Sequence, residues 1–420
     1  MGLVYLAGIR IYGLLISVLS LFNDKARKWR EGRRGLLDRV AREVDASKRS
    51  IWFHFASLGE FEQGRPVLER LRALKPDRTF IITFYSPSGY EIRKNTPLAD
   101  HVFYLPEDTP RNAFRFIELI NPELAIFTKY EYWPFFFREL GTRQIPLYVI
   151  SAIFRPGQVY FKWYGGFFRN TLKQVTHFFT QNRESVMMLS RLGINKATLA
   201  GDTRFDRVVD LPQNRLSIAE AEDFSTGYQV LVAGSTWPAD EELLAGLHQH
   251  FPDWKLIIAP HEIHEDRIRS VMKLFPQAIR FSAVRDPGLP DTTPDPSVLI
   301  IDNIGMLSSL YGYGRIAYVG GGFGAGIHNT LEAATYGIPV IFGPNYHKFK
   351  EADDLIARGA GFSVEQLPDV TRVFGALQQE ESLKTAGDAA RQYVLEHAGA
   401  TIIIIKHLIE EQFGGNMVSE

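Results

Sequence analysis

Gly320-Gly321-Gly322-Phe323-Gly324-Ala325-Gly326-Ile327-His328-Asn329-Thr330-Leu331-Glu332 follows directly on the apolar run Ile316–Val319. A buried strand that empties into a glycine-rich turn marks a strand–turn–helix unit of an α/β protein. A helix is expected to start near His328 and to run through Leu331, Ala333, Ala334 and Tyr336. Glycines let the backbone approach a ligand closely, and the unpaired N–H groups of a helix start favour an anion. Asn329 and Glu332 are three apart and share one face of the first turn. A carboxylate at an anion site is better explained by sugar or ribose hydroxyls than by phosphate, so the turn reads as a cradle for a nucleotide or a nucleotide sugar. About twenty residues further on, where a nicotinamide site places an acidic ribose ligand, Gly337–Pro339 offers none.

Working outward, apolar β-rich runs alternate with helical patterns from residue 51 onward. Strands are expected at Ile51–Phe55, Phe80–Tyr85, Val102–Leu105, Leu124–Thr128, Leu147–Ser151 and His177–Thr180. A second series is expected at Gln229–Ala233, Lys255–Ala259, Val298–Ile301, Ile316–Val319 and Val340–Phe342. Helical patterns lie between them, among them Gln63–Leu74, Arg111–Ile120, Ala239–His250 and Glu265–Leu274. Such alternation argues parallel sheets covered by helices, in two successive Rossmann-like units. The polar stretch Asp206–Ser225 is read as the linker, and the proline-rich Asp286–Pro296 as a surface loop of the second unit. The expected division is 1–35, 36–210 and 211–420, the last carrying the terminal helices. Two doubly wound units with facing carboxyl ends enclose a cleft, the GT-B glycosyltransferase architecture.

The chain has 420 residues, 45% hydrophobic and 23% charged, with a formal net charge of −1, which gives no support for bulk nucleic-acid binding. With no cysteine, disulfides and thiolate metal sites are excluded. The N-terminus departs from this average. Leu3–Phe22 is an apolar stretch broken by Arg10, followed by Lys25, Arg27, Lys28, Arg30, Arg33 and Arg34. A signal peptide carries its charges before the apolar run, not after it. A membrane span, an interfacial anchor and a helix docked on the first domain all fit. The favoured reading is a membrane anchor whose basic stretch meets anionic lipid on the cytoplasmic side.

Candidate chemistry sits at expected strand ends. Glu60 follows Trp52-Phe53-His54-Phe55-Ala56-Ser57-Leu58-Gly59 at a helix start, where the local dipole is expected to keep it ionised. It reads equally as a general base and as a helix-start carboxylate of purely local effect. Lys129 and Glu131, in Lys129-Tyr130-Glu131-Tyr132-Trp133-Pro134, could position an acceptor, stabilise charge, or pair with each other. Arg204, in Gly201-Asp202-Thr203-Arg204-Phe205-Asp206, could reach a phosphate or be a plain surface arginine. In the second unit Gly234-Ser235-Thr236 reads as a phosphate-contacting turn. Pro260-His261 and Ile304-Gly305-Met306 are read as nucleotide contacts. His261 and His264 lack metalloprotease spacing and a third ligand, so no metal is assigned.

Taken together, Glu60 in its Trp-x-His-x-x-Ser-x-Gly-Glu setting, Trp133-Pro134, Gly201–Asp206, Asp302-Asn303-Ile304-Gly305 and Gly320–Pro344 resemble the bacterial lipid A Kdo transferases. These are membrane-associated GT-B enzymes whose donor is CMP-Kdo, 3-deoxy-D-manno-octulosonate activated by cytidine monophosphate. The resemblance spans nearly the whole chain. It implies inverting transfer of Kdo to a sugar hydroxyl of a lipid A precursor on the inner membrane, without a metal or cofactor. It casts Glu60 as general base, and Pro260, His261, Ile304, Gly305, Met306, Asn329, Thr330, Leu331 and Glu332 as contacts to CMP. The chain departs from the family at Lys129, where a glutamate is common, at Arg204, where a lysine is common, and at His261, where an arginine is usual. Another GT-B transferase acting on a lipid, a same-fold nucleotide-sugar epimerase and a membrane-bound nucleotide-sugar sensor are the rival readings.

Overall fold

The computed structural model describes residues 1–285 and 295–414. The loop expected over Asp286–Pro296 therefore lies outside the described residues except for its last two positions. By contacts the chain forms two compact units, Met1–Arg207 with Ala398 onward, and Val208–His397.

The first unit is built on strands β1 (Ser50–Phe55), β2 (Thr79–Phe84), β3 (His101–Tyr104), β4 (Pro122–Thr128), β5 (Leu147–Ala152), β6 (His177–Thr180) and β7 (Ala197–Leu199). They form a parallel sheet in the order β3-β2-β1-β4-β5-β6-β7. Every residue of β1 is buried. A parallel strand covered by helices on both faces needs such a continuous apolar run. The helix Leu58–Leu74 returns over this strand. Gly64 permits its approach, because a Cβ there would meet the Phe55 ring at 2.4 Å.

The second unit repeats the plan with β8 (Gln229–Thr236), β9 (Trp254–Pro260), β10 (Ala278–Arg280), β11 (Val298–Ile300), β12 (Ile316–Val319), β13 (Val340–Phe342) and β14 (Gly361–Ser363). Its parallel order is β10-β11-β9-β8-β12-β13-β14. In each sheet the winding reverses beside the first strand, between β1 and β4 and between β8 and β12. In open α/β sheets ligands bind outside the carboxyl ends of the strands at this reversal.

The structure corrects three expectations. The terminal helix Ala400–Phe413 belongs with the first unit, not the second: Ala400, Ile404, Ile405 and Leu408 are buried in one cluster with Phe55, Val67 and Tyr148. Asp206 caps it, accepting from Thr401 N at 2.7 Å and Thr401 Oγ1 at 2.8 Å. The expected linker Asp206–Ser225 holds the end of one helix, Thr203–Val209, and all of another, Ala219–Ser225. The helix expected from His328 to Tyr336 shrinks to one turn, Leu331–Ala334, because the chain must turn through Gly337 and enter β13 at Val340.

The first helix, Gly2–Leu19, is long and apolar enough to cross a membrane. Its Tyr5 packs on Phe135 and Phe167 and donates to Asp108 at 2.8 Å. Leu3, Val4, Ile11, Leu14, Leu15, Val18 and Leu19 remain exposed. The basic stretch that follows is not uniform. Arg33 is half-buried over the Trp29 ring at 3.9 Å and donates to the Leu105 and Tyr85 carbonyls, whereas Lys25, Arg27, Lys28, Arg30 and Arg34 are exposed.

Candidate active site

At the reversal of the first sheet, β1 runs into the helix bearing Glu60 and β4 runs into the turn bearing Lys129 and Glu131. Glu60 Oε2 accepts from the Ala56 amide at 2.6 Å, which folds the carboxylate back over the end of β1. The expectation that a helix dipole keeps Glu60 ionised is corrected. Burial, then the charge of Glu131, push its pKa up to about 8, while the Ala56 hydrogen bond and Lys129 pull the other way. Desolvation of a carboxylate outweighs one amide and a partial dipole. Glu131 is also held above the ordinary carboxylate range by burial.

Glu131 Oε2 accepts from Trp133 Nε1 at 3.0 Å and lies 3.4 Å from His54 Nε2. Lys129 takes a left-handed backbone, φ 56°, in the turn after β4, and its charge acts on both Glu60 and Asp202. Arg204 is engaged within the first unit: its Nε and Nη2 contact Asp202 Oδ2 at 2.9 and 2.8 Å. Asp202 also accepts from Gln63 Nε2 at 2.7 Å. The structure thus brings Glu60, Lys129 and Glu131 into one electrostatic group and ties Arg204 to its edge through Asp202.

In the second unit the turn after β8 and the glycine loop after β12 nearly touch. A Cβ at Gly320 would meet Ser235 O at 2.4 Å and Thr236 Cα at 2.7 Å. The loop uses much of its own amide capacity: Gly324 and Gly326 donate to the Gly321 carbonyl, His328 to that of Gly320, and Gly321 to Asp240 Oδ2 at 2.9 Å. With only one helical turn behind it, a macrodipole adds little here. Asn329 Nδ2 donates to Glu332 Oε1 at 3.0 Å and its Oδ1 accepts from Leu331 N, so the two expected ligands brace each other. Thr330 Oγ1 is buried with no hydrogen-bond partner among the described residues.

Pro260 closes β9, and His261 N donates to Thr236 O at 3.0 Å. The His261 ring stacks on Trp237 at 4.8 Å and on His328 at 4.5 Å, and Trp237 Nε1 donates to His328 Nε2 at 3.2 Å. Three ring side chains from the ends of β8, β9 and β12 thus meet at the reversal. Sequence reading supplied only His261 of the three. Ile304, Gly305 and Met306 follow β11, one strand beyond β9, with Ile304 fully open to solvent at 85% exposure and Met306 at the start of the turn Leu307–Leu310.

Residues 28–207 match the family model described as 3-deoxy-D-manno-octulosonic-acid transferase (kdotransferase). The chain is 29% identical over 324 residues to a 3-deoxy-D-manno-octulosonic acid transferase of Rickettsia felis, covering 75% of this chain and 68% of that one. It is 28% identical to one from Aquifex aeolicus, covering 80% and 88%, and 26% identical to one from Haemophilus influenzae, covering 92% and 93%. Among solved structures it resembles a UDP-GlcNAc 2-epimerase from Neisseria meningitidis bound to UDP-GlcNAc, with a TM-score of 0.61 and 16% identity, covering 86% of this chain and 100% of that one. It also resembles MurG from Acinetobacter baumannii, with a TM-score of 0.53 and 10% identity over 86% and 99% of the two chains. These two likenesses establish a GT-B-type pair of α/β units.

Proposed function

We propose that this chain, similar to the 3-deoxy-D-manno-octulosonic acid (Kdo) transferases over residues 28–207 and beyond, moves Kdo from CMP-Kdo to a sugar hydroxyl of a lipid A precursor, with inversion and with Glu60 as general base. The first unit is the acceptor side and the second the donor side. In the reaction the acceptor hydroxyl forms a bond to the anomeric carbon of Kdo as the bond from that carbon to the CMP phosphate oxygen breaks. The hydroxyl proton passes to Glu60, and the bonding electron pair leaves with the phosphate.

The observation that carries this reading is Glu60 itself: a half-buried carboxylate at the reversal of the first sheet, with its pKa raised to about 8 by burial and by Glu131. A base with such a pKa matches an alkaline or near-neutral working pH better than an ordinary carboxylate. The donor side is supported by Pro260, His261, Ile304–Met306 and Asn329–Glu332, all at or beyond the carboxyl ends of β9, β11 and β12. Charge on the departing phosphate is met by this chain's own polar groups there, and no metal or cofactor enters the proposal. The exposed apolar face of Gly2–Leu19, with Lys25, Arg27, Lys28, Arg30 and Arg34 beside it, supports anchoring on the cytoplasmic face of the inner membrane.

The test is transfer by the purified full chain from CMP-Kdo to a tetraacylated lipid A precursor, with the product weighed. Mass gain with CMP-Kdo but not with UDP-sugars supports the donor assignment; the reverse transfers the chain to another GT-B activity. Glu60→Gln is expected to abolish transfer while CMP still binds, and undiminished turnover removes Glu60 from the role of base.

A further inference from the structure

Behind Glu131 lies a chain of buried polar groups that the proposed mechanism does not use. Trp52 Nε1 donates to Thr83 Oγ1 at 2.9 Å, and Thr83 Oγ1 lies 2.8 Å from His54 Nδ1. His54 Nε2 then faces Glu131 Oε2 at 3.4 Å, and Trp133 Nε1 reaches the same oxygen at 3.0 Å. Trp52, His54 and Thr83 are fully buried on the adjacent strands β1 and β2. Trp133 is fixed by packing on Tyr85 at 4.8 Å, and His54 by the Phe127 ring at 4.9 Å.

The distances set the direction of this chain. An indole N–H can only donate, so Thr83 Oγ1 accepts from Trp52 and has one proton left to give. The Phe53 carbonyl at 3.4 Å is a poorer acceptor for it than His54 Nδ1 at 2.8 Å. His54 is neutral, because burial pulls its pKa down to about 3. An imidazole that accepts at Nδ1 carries its single proton at Nε2, and that proton points at Glu131. Trp133 is likewise a donor only; its Nε1 lies 3.3 Å from His54 Nε2 and 3.0 Å from Glu131 Oε2, and the carboxylate is the nearer and stronger acceptor. In this tautomer both groups facing Glu131 Oε2 give protons to it.

We propose that His54 is a positioning residue: as the last link of a relay that runs one way from Trp52, it reserves Oε2 of Glu131 for accepting, and so maintains a second carboxylate charge beside Glu60. The relay makes Glu131 the residue that tunes the base. It leaves Lys129, which stands where the resembling family carries a glutamate, as a counter-charge. The inference rests on the reading of Glu60 as general base only for its catalytic meaning; the relay itself is a property of the folded first unit.

The experiment is a carbon-13 NMR titration of the full chain labelled at the glutamate side-chain carboxyl, with Glu60 assigned by the signal lost in Glu60→Gln. His54→Leu breaks the relay and Glu131→Gln removes its end. Each is expected to lower the Glu60 midpoint by about one pH unit, the lower end of like-charge effects, and the double variant by no more than the larger single change. His54→Gln, whose amide can accept from Thr83 and donate to Glu131, is expected to restore most of the shift. Thr83→Val, nearly isosteric, breaks the same relay with His54 in place and serves if His54→Leu does not fold. Midpoints unchanged in His54→Leu or Thr83→Val, with turnover merely reduced, overturn the proposal. Midpoints that move as expected in an enzyme whose Glu60→Gln form still transfers Kdo leave the relay standing and remove the base assignment instead.

Discussion

The two reversal points of this molecule are built on the same plan and filled with opposite chemistry. Between β1 and β4 the strand ends converge on carboxylates sunk in an aromatic environment, where burial dominates the electrostatics of Glu60 and Glu131. Between β8 and β12 they converge on glycine backbone and a stack of Trp237, His261 and His328, with His261 exposed. A doubly wound sheet supplies the location of a site in both halves, and the residues at the strand ends decide what it can do. The first is suited to moving a proton and the second to gripping a planar, anionic ligand. Each prediction below separates proton handling in the first unit from ligand gripping in the second.

The largest effect is expected for Glu60→Gln. General-base assistance contributes on the order of 10²–10⁴-fold, so the transfer rate should fall by that factor while CMP affinity, measured by calorimetry, stays unchanged. The same substitution should stabilise the first unit. A carboxyl whose folded pKa lies above its unfolded value binds more protons folded than unfolded between those two values, so stability falls as pH rises from about 4.5 to about 8. Glutamine removes that loss, and a Tm above that of the unmodified chain at pH 8 checks it. For Glu60 acting as the proposed base in its ionised form, kcat/KM should climb about tenfold per pH unit below its pKa of about 8 and level off above it. A flat profile from pH 6 to 9 contradicts the assignment.

Next in size is Leu408→Ala. Leu408 is fully buried against the first sheet although it lies at the far end of the sequence. Such truncations cost about 2–5 kcal/mol. Denaturation followed by CMP protection should show the first unit weakened and the second unit unchanged. Equal loss in both units removes the assignment of the terminal helix.

The terminal helix also shows what the sequence could not say. Its apolar pattern announces a buried helix, but no local signal tells which of two similar sheets it will cover. The interior strands were legible because parallel strands covered on both faces are nearly continuous apolar runs, as β1 and β9 are. The strands missed, β7, β10 and β14, are three-residue segments at the outer ends of their sheets. An edge strand pairs on one side and needs no long apolar run. Glu60 and Glu131 stood out as charges just beyond strand ends. His54 and Thr83 did not, because they lie within strands that read as core, and the one available signal was a histidine inside an all-aromatic and aliphatic run. The extended helix after the glycine loop was over-read because Leu331–Ala334 continues into residues of good helical pattern, whereas the return to β13 allows one turn only.

Gly320→Ala is expected to act in the opposite half to Leu408→Ala. The added methyl meets backbone atoms of Ser235 and Thr236, which cannot rotate away as a side chain could. Overpacking of this kind costs about 1–3 kcal/mol, so CMP affinity and the stability of the second unit should fall together while the Glu60 titration stays in place. A substitution that left CMP binding intact would mean that the close approach of the two loops does not shape the donor site.

The smallest effect, and the finest division of the two sites, is expected for Trp237→Phe. Phenylalanine retains a ring for His261 to stack on but loses the N–H that donates to His328 Nε2 at 3.2 Å. Trp237 is 37% exposed, so water can replace part of that bond. A net hydrogen bond is worth about 0.5–1.5 kcal/mol, and the lower end of that range corresponds to a two- to threefold weaker CMP complex, a factor that follows from about 1.4 kcal/mol per tenfold. Because His328 packs against Gly321, freeing its ring should loosen the glycine loop, and faster amide exchange at Gly321–His328 is the accompanying signature. Trp237→Leu removes the stack as well and should cost more than Trp237→Phe in affinity. If the two variants weaken CMP equally, the ring face contributes nothing, and the grip of the second site comes from backbone and from the Asn329–Glu332 brace.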